Sequence, residues 1–245
     1  MAVWYLIIAN PVLNVLVALT QLVGGNFGLA IIALTVIVRL ISWPLTKRQL
    51  NSTKAMQEMQ PKIQELQKKY GKNQQKLQQE MMKLYKEAGI NPLGCIWPML
   101  VQFPIWIALY QAIMSALATT PESLLGIAQR LYSWGIVNQA IPLSSRFLWL
   151  DLSQPDPYFI LAIFVGGTMW VQQKMTTAPA VDARQQSTNR MMTLMMPLMF
   201  GFLTLMFPSG LALYWAVSNI IGIITQYFVT GGWGYLRPGS LSQPR

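Results

Sequence analysis

The residue that most directly implies chemistry is Arg39, the one charge inside the apolar segment Phe27 to Pro44. A guanidinium within a membrane helix costs about 2.5 to 3.5 kcal/mol on insertion scales, so it normally faces water, a partner or a transport path. A second reading is open. Arg39 lies about five residues, roughly 7.5 Å, from the inner end of its segment, and an arginine stem can snorkel that far. Thr35 and Trp43 stand one turn before and after it, which places a polar stripe on one helix face. Other segments carry matching residues at helical spacing: Gln102, Trp106 and Tyr110 on one, and Trp215, Asn219, Gly222 and Gln226 on another. Together they would line a polar groove, although buried Gln and Asn often only bond a neighbouring helix and Trp often anchors at the interface.

What is absent narrows the chemistry further. The chain has no histidine and a single cysteine, Cys95, which excludes an internal disulfide, a His/Cys zinc site and a Ser/His/Asp triad. No Asp or Glu lies well inside any apolar segment, so nothing resembles a proton relay, a cation site or an ion-coupled transporter. No glycine-rich phosphate loop is present. The expectation is therefore a protein that is not an enzyme and uses no metal or cofactor. Its 15 methionines suggest adaptable apolar surfaces, a weak signal because Met is also an ordinary core filler.

The elements that must position these residues follow from composition. Of 245 residues, 53% are hydrophobic and 11% charged, and the mean hydropathy of +0.37 lies outside the range of a soluble domain. Five segments match a bilayer-spanning helix of roughly 20 residues: Phe27 to Pro44, Ile96 to Leu117, Tyr158 to Met175, Met191 to Phe207 and Leu211 to Val229. A sixth apolar stretch, Val3 to Val23, is interrupted by Asn10, Pro11, Asn14 and Gln21. Its polar residues 10, 14 and 21 recur along one face, which favours an interfacial helix over a span. With no Lys or Arg before it and no small-residue cleavage site, it does not read as a signal peptide.

Charge sets the orientation, because Lys- and Arg-rich loops stay in the cytoplasm. The formal net charge is +10. Between the first two spans lie Lys47, Arg48, Lys54, Lys62, Lys68, Lys69, Lys72, Lys76, Lys83 and Lys86, against Glu58, Glu65, Glu80 and Glu87. The slightly acidic loop 118–157 fits the outer face, and Lys174, Arg184 and Arg190 return loop 174–190 inside. Pro208, Ser209 and Gly210 make a short outer turn. The organisation is thus an interfacial helix over 1–26, a first span over 27–46, a basic cytoplasmic segment over 47–90, four spans over 91–229 and a tail over 230–245. The N-terminus is outside and the C-terminus inside.

The basic segment carries its own pattern. Met56, Met59, Ile63, Leu66 and Tyr70 are spaced as in a two-helix seam, and Leu77, Met81, Leu84 and Ala88 answer them. Gly71, Lys72 and Asn73 form the turn, Gly89 ends the second arm, and Asn91 with Pro92 starts the next helix. This predicts a helical hairpin, with a kink or a helix start near Pro61. A passive positive-inside loop needs no paired seam, which favours an interaction element.

Several motifs resemble the YidC family of membrane protein insertases over nearly the whole chain. They are Arg39 followed by Pro44-Leu45 and Lys47, the run Ser52-Thr53-Lys54-Ala55-Met56-Gln57, Gln60-Pro61, Asn91-Pro92-Leu93-Gly94-Cys95, Pro98 through Pro104, and Pro208-Ser209-Gly210-Leu211-Ala212-Leu213-Tyr214-Trp215 with Ser218-Asn219 behind it. The resemblance implies an all-α bacterial plasma-membrane protein whose five helices enclose a hydrophilic groove, open to cytoplasm and lipid and closed outside. It implies that Arg39 and Thr35 lie in that groove, that Gln102, Tyr214 and Trp215 border it or touch substrate helices, and that the hairpin receives substrates. The groove arginine would attract acidic residues of a substrate tail, while the substrate's apolar helix leaves sideways into lipid, and a charge acts more strongly there than in bulk water. In this sequence Trp215 stands where many relatives carry a second tyrosine, the chain carries no counterpart of the large outer domain of Gram-negative relatives, and its tail has no long basic run.

The implied partners are newly made membrane proteins, with a Sec translocon, a ribosome and anionic lipids as further candidates, and the protein is expected to work as a monomer. The contacts expected of the hairpin fall on Lys54, Met56, Met59, Lys62, Leu66, Lys68, Lys69, Lys72 and Met81. Three rival readings are an anion transporter using Arg39, an intramembrane enzyme, and a scaffold binding lipid or ribosomal RNA through the hairpin. The first lacks an internal repeat and the second lacks catalytic groups, whereas hairpin charge is compatible with the third. Asn51-Ser52-Thr53 fits a glycosylation acceptor, but a cytoplasmic position removes its meaning.

Overall fold

A computed structural model describes residues 4–71, 73–89, 96–117, 126–127, 129–132, 143–177 and 183–236. The described chain is that of an all-α membrane protein, with one two-stranded hairpin. Helix α1, Tyr5–Leu22, opens with a wide π turn at Tyr5–Ala9. Helix α2 is Phe27–Ile41, α3 Trp43–Glu58, α4 Gln60–Tyr70, α5 Gln74–Glu87 and α6 Ile96–Ala116. Strands β1, Arg146–Phe147, and β2, Leu150–Asp151, pair antiparallel. Helix α7 is Ile160–Thr176, α8 Ala183–Arg190, α9 Met196–Leu203 and α10 Ser209–Thr230. A π turn at Met191–Met195 joins α8 to α9.

By length and apolarity, α1 and α10 each meet the requirement of a membrane span, and α2 does so when taken with the first part of α3. Helix α2 does not reach Pro44 as a continuous rod. It ends at Ile41, Ser42 turns, and α3 restarts at Trp43. Pro44 has no N–H for the carbonyl one turn earlier, and the new helix takes its first bonds from Thr46, whose N–H and hydroxyl both donate to the Ser42 carbonyl at 2.9 and 3.0 Å. The fourth apolar segment likewise stops being helical at Leu203, where tighter three-residue bonds from Leu205 and Met206 close the turn ahead of Pro208.

The chain divides into two compact units. The first comprises Met1–Ile41, Val101–Met169 and Pro197–Ile221. Its core joins Leu13 and Leu16 of α1, Phe27 and Ile31 of α2, Ile113 of α6 and Leu211 of α10. Gly24 and Gly25, at φ 75° and 80°, make the turn from α1 to α2 that a side chain would strain. The Asn26 carboxamide oxygen then accepts from the Leu29 N–H at 3.0 Å and caps α2. Helices α7 and α9 approach through small residues, since a Cβ on Gly201 would stand 3.1 Å from the Ala162 carbonyl and one on Gly166 3.3 Å from that of Pro197. Packing of this kind holds helices together where lipid removes the hydrophobic drive.

The second unit comprises Ser42–Leu100, Trp170–Met196 and Gly222–Arg245. Helices α4 and α5 pack on each other as a hairpin. Pro61 sits in the first turn of α4, and Asn73 caps α5 by accepting from the Lys76 N–H at 3.1 Å. Met59 and Ile63 are buried in the seam, and Leu66, Leu77, Met81 and Leu84 are half-buried.

Candidate functional site

Arg39 is placed by α2, two residues before its end, and is half-buried. Its Nη2 donates to the main-chain carbonyl of Ser218 on α10 at 3.0 Å. Tyr214, one turn earlier on α10 and buried, lies within electrostatic range of the guanidinium. No carboxylate lies in any of the five apolar segments, and among the described residues the charge bonds a neutral dipole. Such a partner stabilises a guanidinium without neutralising it, which leaves the field available to an incoming anion. The hydroxyl of Ser218 is buried with no hydrogen-bond partner among the described residues.

Thr35 is fully buried one turn before Arg39, and its hydroxyl donates back to the Ile31 carbonyl at 2.6 Å. Trp43 follows the end of α2 at Ile41. It is exposed at the start of α3, in the second unit. Gln102 has its backbone in α6, and its side chain lies outside the described residues.

Trp106 and Trp215 do meet. Their rings stack with centroids 5.7 Å apart, and Phe207 packs edge-on against both, at 6.1 and 5.9 Å. Phe103, Tyr110 and Phe200 extend this cluster by further edge contacts. The indole N–H of Trp106 is buried without a partner among the described residues, so the cluster is apolar with one idle donor. Asn219 is turned to α7 instead, where its amide donates to the Thr168 hydroxyl at 3.1 Å and the Val165 carbonyl at 3.3 Å. In the second unit, Gln226 donates to the Thr176 hydroxyl at 2.8 Å, and Gly222 lies against the Gln172 side chain. Asn219 thus meets α7 within the first unit, and Gly222 and Gln226 meet it within the second.

On the hairpin, Lys62, Lys68 and Lys69 are exposed, Lys54 and Met56 half-buried, and Lys72 lies outside the described residues. Lys69 and Lys76 both stand over the Tyr70 ring, at 5.4 and 5.3 Å from its centroid. Sequence spacing did not single out Ser218, Phe103, Phe200 or Phe207. A main-chain acceptor has no sequence signature, and the phenylalanines carry no polar atom to distinguish them from lipid-facing residues.

The sequence matches the family of the 60Kd inner membrane protein over residues 18–233. The chain belongs to that family. Among its relatives in the 60Kd inner membrane protein family, the chain is 37% identical over 226 residues to the membrane protein insertase YidC of Nitratidesulfovibrio vulgaris, covering 92% of this chain and 38% of that protein. It is 41% identical over 227 residues to the protein of the same name from Vibrio cholerae, covering 92% and 37%. With that of Histophilus somni the identity is 42% over 229 residues, covering 94% and 38%. The chain thus spans little more than a third of the length of these relatives.

Proposed function

We propose that this chain is a membrane protein insertase, which carries short hydrophilic tails of new membrane proteins across the inner membrane and releases their apolar helices into lipid. The observation that carries the reading is Arg39, a cation within an apolar segment whose hydrogen-bond partner among the described residues is the Ser218 carbonyl. The insertase name printed for the relatives supports it. Arg39, Thr35, Gln102, Trp106, Tyr214, Trp215 and Asn219 form or border a positively charged groove. The aromatic cluster offers substrate helices an apolar wall. No covalent step, nucleotide or metal is required.

The five spans run with the N-terminus outside and the C-terminus in the cytoplasm, and α1 lies along the outer surface. Trp4, just ahead of α1, donates from its indole to Gln111 at 2.9 Å, about two turns from the outer end of α6, while Asn26 past the other end bridges to Ser144 in the outer loop. A span of 18 residues would place its ends about 27 Å apart across the bilayer, which supports the interfacial reading. The exposed lysines of the α4–α5 hairpin receive substrates and contact anionic lipid or the ribosome, beside a Sec translocon or alone, with one copy sufficient.

Purified protein in liposomes tests the reading directly. It should insert a single-span substrate with an acidic outer tail well above empty liposomes. Insertion no higher than in empty liposomes, with a Sec translocon also present, contradicts it.

A further inference from the structure

Among the described residues, only two that are not glycine have positive φ, and both are large and apolar: Leu148 at 56° and Phe159 at 59°. Bulky side chains rarely adopt this left-handed conformation, and where it occurs the surroundings over-determine it. Here it displays apolar groups outward. Leu148 is 76% exposed and Phe159 56%, and each has an exposed aromatic neighbour, Trp149 and Tyr158.

The scaffold beneath both sites is tightly fixed. The β1–β2 turn is held from below by Phe147, whose ring covers Gly28 at the start of α2. Beyond β2, the Ser209 N–H and hydroxyl donate to the Gln154 and Asp151 carbonyls at 2.7 Å each, and the Gly210 N–H donates to the Leu152 carbonyl at 3.1 Å. Before α7, the buried Asp156 carboxylate accepts from the Tyr158 N–H at 3.1 Å and the Leu161 N–H at 2.8 Å. The segment 146–159 is therefore tied to the first turns of three helices, α2, α7 and α10. In the topology proposed above, all three helices start at the outer face, where side chains leaving the protein would meet lipid headgroups and upper acyl chains. Aromatic residues favour this layer because an apolar ring and a polar edge are both accommodated.

We propose that Leu148 and Trp149 at the β1–β2 turn, with Tyr158 and Phe159 ahead of α7, form a lipid-inserting wedge that seats the loop in the interfacial layer of the adjacent leaflet. The wedge fixes the depth at which α2, α7 and α10 begin. It goes beyond the insertase reading, and its test reads depth whichever activity the groove supports.

Full-length protein with Cys95→Ser and one new cysteine, Leu148→Cys, Phe159→Cys or Gln154→Cys, is spin-labelled and reconstituted in phosphatidylethanolamine–phosphatidylglycerol vesicles. Relaxation enhancement by oxygen should exceed that by a water-soluble nickel chelate at 148 and 159, with the order reversed at 154. Dominance of the nickel chelate at 148 and 159 overturns the wedge, and it would equally do so if the surface were reserved for a protein partner absent from the vesicles. An unlabelled check avoids any effect of the spin label. Lipids brominated high on their chains should quench wild-type fluorescence more than that of Trp149→Phe, and equal quenching overturns the proposal.

Discussion

Arg39 on α2 donates to the main-chain carbonyl of Ser218 on α10, 179 positions away in sequence. The bond joins α2 to α10 at the one cation of the Phe27 to Pro44 segment, and the acceptor is a backbone atom that no substitution removes. The Ser218 hydroxyl beside it is buried and has no partner among the described residues. Ser218→Ala should therefore leave both the Arg39 contact and thermal stability near wild type, since deleting an unpaired buried polar atom is neutral or slightly stabilising. Thermal unfolding in detergent checks this, and a loss above about 1 kcal/mol would mean that the hydroxyl has a bonded role.

A second arginine, in the first unit, has a different task. Arg130 donates from Nε to the Asn10 carboxamide at 3.0 Å and from Nη1 to the Ser115 hydroxyl at 3.1 Å, and it lies over the Tyr5 ring at 4.8 Å. Asn14, fully buried, donates to the Arg130 carbonyl at 3.0 Å and accepts from the Tyr132 N–H at 2.6 Å. Asn14→Leu removes both bonds, and should cost about 1 to 3 kcal/mol. Chemical denaturation checks the value, and protease sensitivity of α1 should rise with it.

Gly28 and Phe147 form a close pair, because a Cβ on Gly28 would run into the Phe147 ring. Gly28→Ala should destabilise the protein by about 1 to 3 kcal/mol, the usual cost of overpacking. Phe147→Ala made in the same chain should cost less than it does alone, since it relieves the clash. A double-mutant cycle on unfolding measures this coupling, and strict additivity would contradict the pair.

Acid should loosen the β1–β2 hairpin slightly. The Asp151 carboxyl is held below the ordinary carboxylate value chiefly by the Ser153 hydroxyl, which donates to it at 2.7 Å, with the Ser153 N–H at 3.0 Å, Ser145 and the Arg146 charge adding to this. A depressed pKa contributes stability above the unfolded value of about 3.9, and that contribution is lost as pH falls through the lower folded value. Asp151→Asn should remove this part of the acid dependence below about pH 4. The melting temperature followed between pH 3 and 6 checks it.

Much of this was legible in the sequence where a local rule decides. The 3–4 spacing of Met59 and Ile63, with Pro61 and Asn73 at helix starts, specifies the hairpin without reference to anything distant. The fate of polar residues on apolar helices was less legible. Asn10 and Asn14 sit on one face, as an interfacial helix predicts, but that face turns inward to Arg130 and Tyr132 while Leu6 and Ile7 are exposed. Periodicity identifies a face and not what covers it. Asn219 and Gln226 share the helical register of Trp215, yet they bond α7, because a partner across an interface is a tertiary choice. The first apolar segment breaks at Ser42, ahead of Pro44, a signal present in the sequence and outweighed by unbroken apolarity.

Arg39 remains the centre of the account. The most direct measurement is insertion of a single-span substrate with an acidic outer tail into liposomes carrying wild type, Arg39→Lys or Arg39→Ala, each first shown to be folded. The account predicts that lysine retains most of the insertion and alanine loses at least tenfold, about 1.4 kcal/mol of lost electrostatic attraction, with the loss shrinking when the tail is neutral. Equal insertion by all three would contradict it, and would mark Arg39 as a residue that merely reaches the membrane surface.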